Sequence, residues 1–154
     1  MLAGRISAAS LNKDHAGENV RLLGWVQTRR DHGGVIFVDL RDRSGIVQVV
    51  FNPDMPENGF ASAERLRSEY VIEVSGTVRL RPEGSENPNM VTGEIEVVIS
   101  DLNILNKAKT PPFYIQDNLD VDESVRLKHR YVDLRRSEMQ KVMMVRHQVM
   151  QLMR

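Results

Sequence analysis

Between Val20 and Arg29, and again between Val35 and Arg41, apolar and polar residues alternate with the period of a β-strand. Gly33-Gly34 separates the two runs, so they read as a hairpin. In the second run Ile36, Val38 and Leu40 share one face, as a core-facing set should. Phe37 falls on the opposite face with Asp39 and Arg41, because strand side chains alternate sides. An aromatic on a polar face beside the basic pair Arg29-Arg30 is either a platform for stacking bases or a ring tucked under a loop or helix. Alternation alone leaves both readings open. In the first run Leu23 and Trp25 share one face and Leu22, Gly24 and Val26 the other, so the strand is central or strongly curved, with Gly24 as a place to bend.

Three more strands and a helix follow. After a turn over residues 41–45, Ile46 to Phe51 places Val47, Val49 and Phe51 on one face. Gln48 lies on the other, between Ile46 and Val50. Its amide offers a donor and an acceptor, suited to a base edge or simply to water. Pro53 and Pro56 interrupt the pattern, and Phe60 to Ser68 predicts a short helix with Ala63 and Leu66 inward. Tyr70 to Arg81 is the cleanest alternation, with Ile72, Val74, Gly76, Val78 and Leu80 inward and Glu73, Ser75, Thr77, Arg79 and Arg81 outward. A polar loop from Pro82 to Asn89 leads to a fifth strand, Glu94 to Ser100, with Ile95, Val97 and Ile99 inward and Glu94 and Glu96 outward.

Three strands, a short helix and two strands is the element order of an OB-fold, a five-stranded Greek-key barrel. The fold class is therefore all-β with short helices, the barrel covering residues 1–106. OB-folds bind through strands two and three and the adjoining loops, where Phe37, Gln48 and the arginine pair fall. That convergence favours the stacking reading of Phe37.

Residues 107–122, with Pro111-Pro112 and an acidic run from Asp117 to Asp122, read as an ordered linker. From Glu123 the register changes. Arg126 to Arg136 is basic and amphipathic, Ser137 is placed as an N-cap, and Val142, Val145, Val149 and Met153 line one stripe of a helix. No other segment offers that stripe a partner surface, so residues 123–154 read as the truncated beginning of a further domain.

Composition narrows the function. With 21 basic and 21 acidic residues the formal net charge is zero, which argues against coating nucleic acid through a bulk field while leaving room for a local basic patch. The absence of cysteine excludes disulfides and thiolate metal sites and fits a reducing, cytoplasmic setting. No apolar run has the length of a membrane span, and the first ten residues do not form a signal peptide. His15, His32, His129 and His147 lack ligand spacing, so no zinc site is expected, and no nucleophile–base pair stands out.

At three places the chain resembles the bacterial aspartyl-tRNA synthetase family, a class II group. They are the stretch from Gly24 to Asp42 with Gly45-Ile46-Val47-Gln48-Val49, the stretch from Thr92 to Val97, and the stretch from Arg126 to Arg136. The first alone is also compatible with asparaginyl- and lysyl-tRNA synthetases; the last tips the resemblance to the aspartyl family. It implies an anticodon-binding OB barrel, a hinge and a catalytic domain. Phe37 would stack on the central anticodon uridine and Gln48 would bond its edge. Arg30 and Glu94 would contact flanking bases, with Arg29 a further anticodon candidate and Arg79 and Arg81 phosphate contacts. His32 and Gly84 match positions that go with relaxed, non-discriminating members, which charge both tRNA-Asp and tRNA-Asn. The whole enzyme would be an aspartate–tRNA ligase and a homodimer, using ATP and Mg²⁺. These 154 residues would carry none of its catalytic motifs and need no cofactor, and the helix from Ser137 would match the start of the dimer-forming motif.

Two other classes compete. A free-standing OB module binding single strands without sequence preference needs several stacking aromatics and a basic groove, whereas aromatics are 5% of the chain and net charge is zero. A structural adaptor would use Phe37 and the terminal helix as protein contacts and would not bind RNA.

Overall fold

The computed structural model describes residues 4–118 and 120–154, apart from the side chains of Glu57 and Asn58. Met1–Ala3 and, within the expected linker, Leu119 lie outside the described residues. The chain divides into two compact units, Met1–Lys109 and Thr110–Arg154.

The first unit is a closed barrel in the order β1-β2-β3-β5-β4. Its strands are β1 (Asn19–His32), β2 (Val35–Arg41), β3 (Ile46–Phe51), β4 (Val71–Leu80) and β5 (Ile95–Asn106). β1 is shared: Asn19 to Trp25 pairs with β4, and Trp25 to His32 pairs with β2. Gly24 sits where the two pairings meet, and a Cβ there would lie 2.4 Å from the Arg41 carbonyl oxygen. Only glycine lets β2 approach that closely. A short parallel pairing, Val49 with Val97 and Val50 with Val98, closes the ring between β3 and β5. These features make the first unit the five-stranded OB barrel that the alternation predicts.

Inward residues fill the barrel. Leu22, Val26, Ile36, Val38, Leu40 and Ile72 are essentially inaccessible to water. Each such side chain contributes about 1.5–3 kcal/mol by leaving water. The lead-in, residues 4–18 ahead of β1, adds Ala8 and Leu11 to the same core.

Several boundaries differ from the periodicity. The helix α1 spans Glu57–Glu64 rather than Phe60 to Ser68. It starts directly after Pro56, whose fixed φ suits a helix start and whose carbonyl accepts the Phe60 N–H at 3.2 Å. Leu80, expected inward, is 56% exposed, because β4 ends there at the barrel rim. β5 runs six residues beyond Ser100, to Asn106, pairing with β4 along its length.

In the second unit Phe113 and Ile115 pack with Val132, flanked by Val121 and Val125. The stretch read as a linker thus supplies core side chains here. α2 (Glu123–Lys128) is capped by Asp122, whose Oδ1 accepts the Ser124 N–H at 2.8 Å. α3 (Arg130–Asp133) and α4 (Ser137–Leu152) follow. Ser137 is not the N-cap of α4: Arg136 holds that position, and Asp117 Oδ1 instead accepts the Glu138 N–H at 3.2 Å. The Val142, Val145, Val149 and Met153 stripe is exposed. Among the described residues no helix is long and apolar enough to cross a membrane.

Candidate nucleic-acid interface

The outer face of the barrel at β2 and β3 is set by register. Directly opposed residues of an antiparallel pair point to the same side. Phe37 opposes Val50, and Asp39 opposes Gln48, so Phe37, Asp39 and Gln48 share one face while Ile36, Val38 and Leu40 point inward. Phe37 is partly exposed there.

β1 reaches the same face through an irregularity. Val26 opposes Leu40, but the next pair is Thr28 with Asp39, so Gln27 is an extra residue on β1. Such a bulge reverses the alternation beyond it. Before it, Leu22, Gly24 and Val26 point inward; after it, Thr28, Arg30 and His32 point outward with Phe37 and Asp39. Arg29 is turned the other way. It opposes the buried Val38, and its Nε donates to the Ala63 carbonyl of α1 at 3.3 Å.

The polar side chains of this face form one chain of contacts that crosses the strands in their order around the barrel. The Thr28 hydroxyl donates to Asp39 Oδ2. Arg30 Nη2 donates to Asp39 Oδ1 at 2.9 Å and to Gln48 Oε1 at 3.4 Å. Gln48 Nε2 donates to Glu96 Oε2 at 2.9 Å, and Arg79 Nε donates to Glu96 Oε1 at 2.7 Å. The Gln48 amide is thereby oriented: its oxygen must face the arginine and its nitrogen the carboxylate. Each of the five strands contributes a member.

Glu96 points outward as expected but is only 2% exposed, because Gln48 and Arg79 close over its carboxylate. Buried charge demands such pairing. Glu96 is the site residue that sequence reading left unassigned. Glu94 shares its parity, but β5 begins at Ile95, which leaves Glu94 in the preceding loop. There Glu94 is exposed and lines a shallow cleft with Asn87 and Met90.

Arg81, expected to reach a phosphate, is buried. Its Nε donates to the Ile95 carbonyl at 2.9 Å. Burial pushes its guanidinium below the ordinary arginine value, opposed by Glu96 and Asp39 and assisted by Arg30. It therefore sits within electrostatic reach of the same cluster. Arg79 keeps its side chain half exposed. His32 meets Phe37, and Gly84 lies in the β4–β5 loop with φ +82°, where an added Cβ meets nothing within 4 Å. The face therefore gathers Phe37, Gln48, Arg30, His32 and Arg79 with Asp39 and Glu96. Arg29 is not on it.

Such a face can do two things chemically. A partly exposed aromatic ring can stack on a base. The largely buried Gln48 amide, held between a cation and an anion, retains a second N–H and a second oxygen lone pair for a base edge.

Known proteins are similar to this chain in sequence and in fold. The aspartate–tRNA(Asp/Asn) ligase of Heliobacterium modesticaldum is 60% identical over 144 residues, which is 94% of this chain and 24% of that protein. The aspartate–tRNA ligase of Oceanobacillus iheyensis is 57% identical over 153 residues, 99% of this chain and 26% of that protein. The chain thus spans about a quarter of the length of these relatives. Among solved structures, the asparaginyl-tRNA synthetase of Pyrococcus horikoshii complexed with asparaginyl-adenylate superposes with a TM-score of 0.82 at 25% identity, covering 98% of this chain and 33% of that one. The family model described as an OB-fold nucleic acid binding domain of the tRNA anticodon type matches residues 20–105, more than half of the chain, and the chain belongs to that family.

Proposed function

We propose that this barrel reads the anticodon of tRNA on behalf of an aspartate–tRNA ligase. The observation that carries the reading is a partly exposed Phe37 on the same face as a Gln48 amide fixed between Arg30 and Glu96. Phe37 stacks on the central anticodon base, worth about 1–3 kcal/mol. Gln48 bonds the edge of that base, a uridine, which needs both an acceptor for its ring N–H and a donor for a carbonyl. Arg30 extends the readable edge with cationic donors for a flanking base, Glu96 holds Gln48 and Arg79 in place from beneath, and Glu94 offers an exposed acceptor at the loop cleft. Arg79 remains available to backbone phosphate on its exposed side.

His32 and Gly84 support a relaxed specificity that admits both tRNA-Asp and tRNA-Asn; a strict reader would present bulk or charge at the loop position. Activation of aspartate with ATP and Mg²⁺, transfer to the tRNA, and homodimer formation belong to the whole enzyme. These steps are assigned to no residue of this chain, which is proposed to bind without catalysing.

The test is a fluorescence-anisotropy titration of anticodon stem-loops at one near-physiological salt. Stem-loops carrying GUC and a version with the central U replaced are compared, each with the unaltered chain and with Phe37→Ala. Both changes should weaken binding and their effects should not add. Equal binding of all stem-loops with a steep salt dependence would make the barrel a phosphate binder and overturn the reading.

A further inference from the structure

Asp39 has no part in the base contacts described above, yet it occupies the centre of the face. It stands opposite Gln48 on one side and Thr28 on the other. Both of its oxygens are engaged, one by the Thr28 hydroxyl and one by Arg30 Nη2 at 2.9 Å. The same Nη2 lies 3.4 Å from Gln48 Oε1. One nitrogen of Arg30 thus bridges the aspartate and the base-reading amide. The Arg30 side chain is otherwise half exposed, on a long stem with many rotamers.

The charges of the cluster sharpen the point. Among the described residues, the carboxylates that face Arg30, Arg79 and the buried Arg81 on this side are Asp39 and Glu96, of which Glu96 is already committed to Arg79 and Gln48. Without Asp39, three guanidinium groups would share one carboxylate beside an aromatic platform. That combination is the general recipe for binding single strands without sequence preference.

We propose that Asp39 is a positioning residue for base selectivity: it pins Arg30 over Gln48 and withholds that guanidinium from the RNA backbone. The proposal rests on the anticodon reading above. Asp39 therefore raises discrimination and lowers indiscriminate affinity at the same time. A merely structural aspartate would do neither.

The experiment uses the 154-residue chain with Asp39→Asn, which keeps the shape and removes the charge. The GUC stem-loop and one with a central C are titrated at about 50 mM and about 200 mM salt, the range over which phosphate contacts are read out. The expected result is tighter binding of the central-C stem-loop and loss of the preference for central U. The dependence of log K on log salt should also steepen by about 0.7, one added single-strand phosphate contact. In an Arg30→Gln background Asp39→Asn should no longer change the slope. Thr28→Val, which removes only the hydroxyl partner, should move selectivity in the same direction by less. An unchanged slope and preference in Asp39→Asn, or an equal weakening of both stem-loops, would overturn the proposal. If the unaltered chain itself shows no preference for central U, the anticodon reading fails and this inference falls with it. A preference in the unaltered chain that survives in Asp39→Asn sinks the inference alone.

Discussion

His32 stands edge-on to Phe37, with ring centroids 6.2 Å apart and planes inclined by 66°. The two meet because the bulge at Gln27 turns His32 onto the outer face of β1, beside the strand that carries Phe37. An edge-to-face pair of this kind is worth about 0.5–1.5 kcal/mol beyond its buried area. Under the proposed function, this contact fixes one side of Phe37 before any base arrives. A position singled out for tRNA choice thus touches the residue singled out for stacking.

The first prediction concerns that contact. His32→Leu should weaken binding of the GUC stem-loop, and the loss should shrink when Phe37 is already alanine. A double-mutant cycle read by anisotropy should give a coupling of about 0.5–1.5 kcal/mol. Additive losses would show that the ring contact plays no part in binding.

The second concerns Gly84. Its φ of +82° is costly for any other residue, while the space around it is open. Gly84→Lys should therefore cost about 1–2 kcal/mol in backbone strain, seen as a lower thermal midpoint. The new side chain should also change the ratio of affinities for stem-loops carrying GUC and GUU, which the unaltered chain should bind alike. An unchanged ratio would remove the β4–β5 loop from tRNA selection.

The third separates the two adjacent arginines. Arg29 faces the interior side and donates to the Ala63 carbonyl, while Arg30 faces Asp39 and Gln48. Arg29→Ala should lower stability in urea by about 0.5–1.5 kcal/mol and leave stem-loop affinity unchanged. Arg30→Ala should cost about 1.5–3 kcal/mol in binding with little change in unfolding midpoint. The opposite assignment of the two effects would mean that the register beyond Gln27 is wrong.

That arginine pair also marks the limit of what could be read from the chain. Alternation placed Ile36, Val38 and Leu40 inside and Phe37 and Gln48 outside, because β2 and β3 run without interruption. It could not separate Arg29 from Arg30, since one extra residue at Gln27 inverts every position after it and has no signature in the hydrophobic pattern. Glu94 and Glu96 have the same parity. What distinguishes them is that β5 starts at Ile95 and that β3 and β4 flank it, a fact of strand order rather than of spacing. The cap of α4 was hidden for a similar reason, because Asp117 reaches Glu138 from 21 positions away.

The last prediction is a pH dependence. Asp42 lies in the β2–β3 turn and ties the lead-in to the barrel. Its Oδ2 accepts the Ala8 N–H at 2.9 Å, and its Oδ1 accepts the Ser44 N–H at 2.7 Å and hydroxyl at 2.6 Å and the Gly45 N–H at 3.1 Å. Burial alone would raise its pKa, but these hydrogen bonds outweigh burial and hold the carboxyl below its ordinary value of 3.8. The folded chain therefore binds this proton less readily than the unfolded chain. Its contribution is complete above the unfolded value and is lost as pH falls through the folded one. Asp42→Asn should lower stability at neutral pH by about 1–3 kcal/mol, since the neutral amide cannot serve all four donors as well. It should also flatten the acid limb, so that the two proteins converge once the pH has fallen below the lowered folded-state value of Asp42. Urea unfolding followed from neutral pH downward checks both. A variant that runs parallel to the unaltered chain through the acid range would mean that Asp42 titrates alike in the folded and unfolded states and that the turn does not depend on its charge.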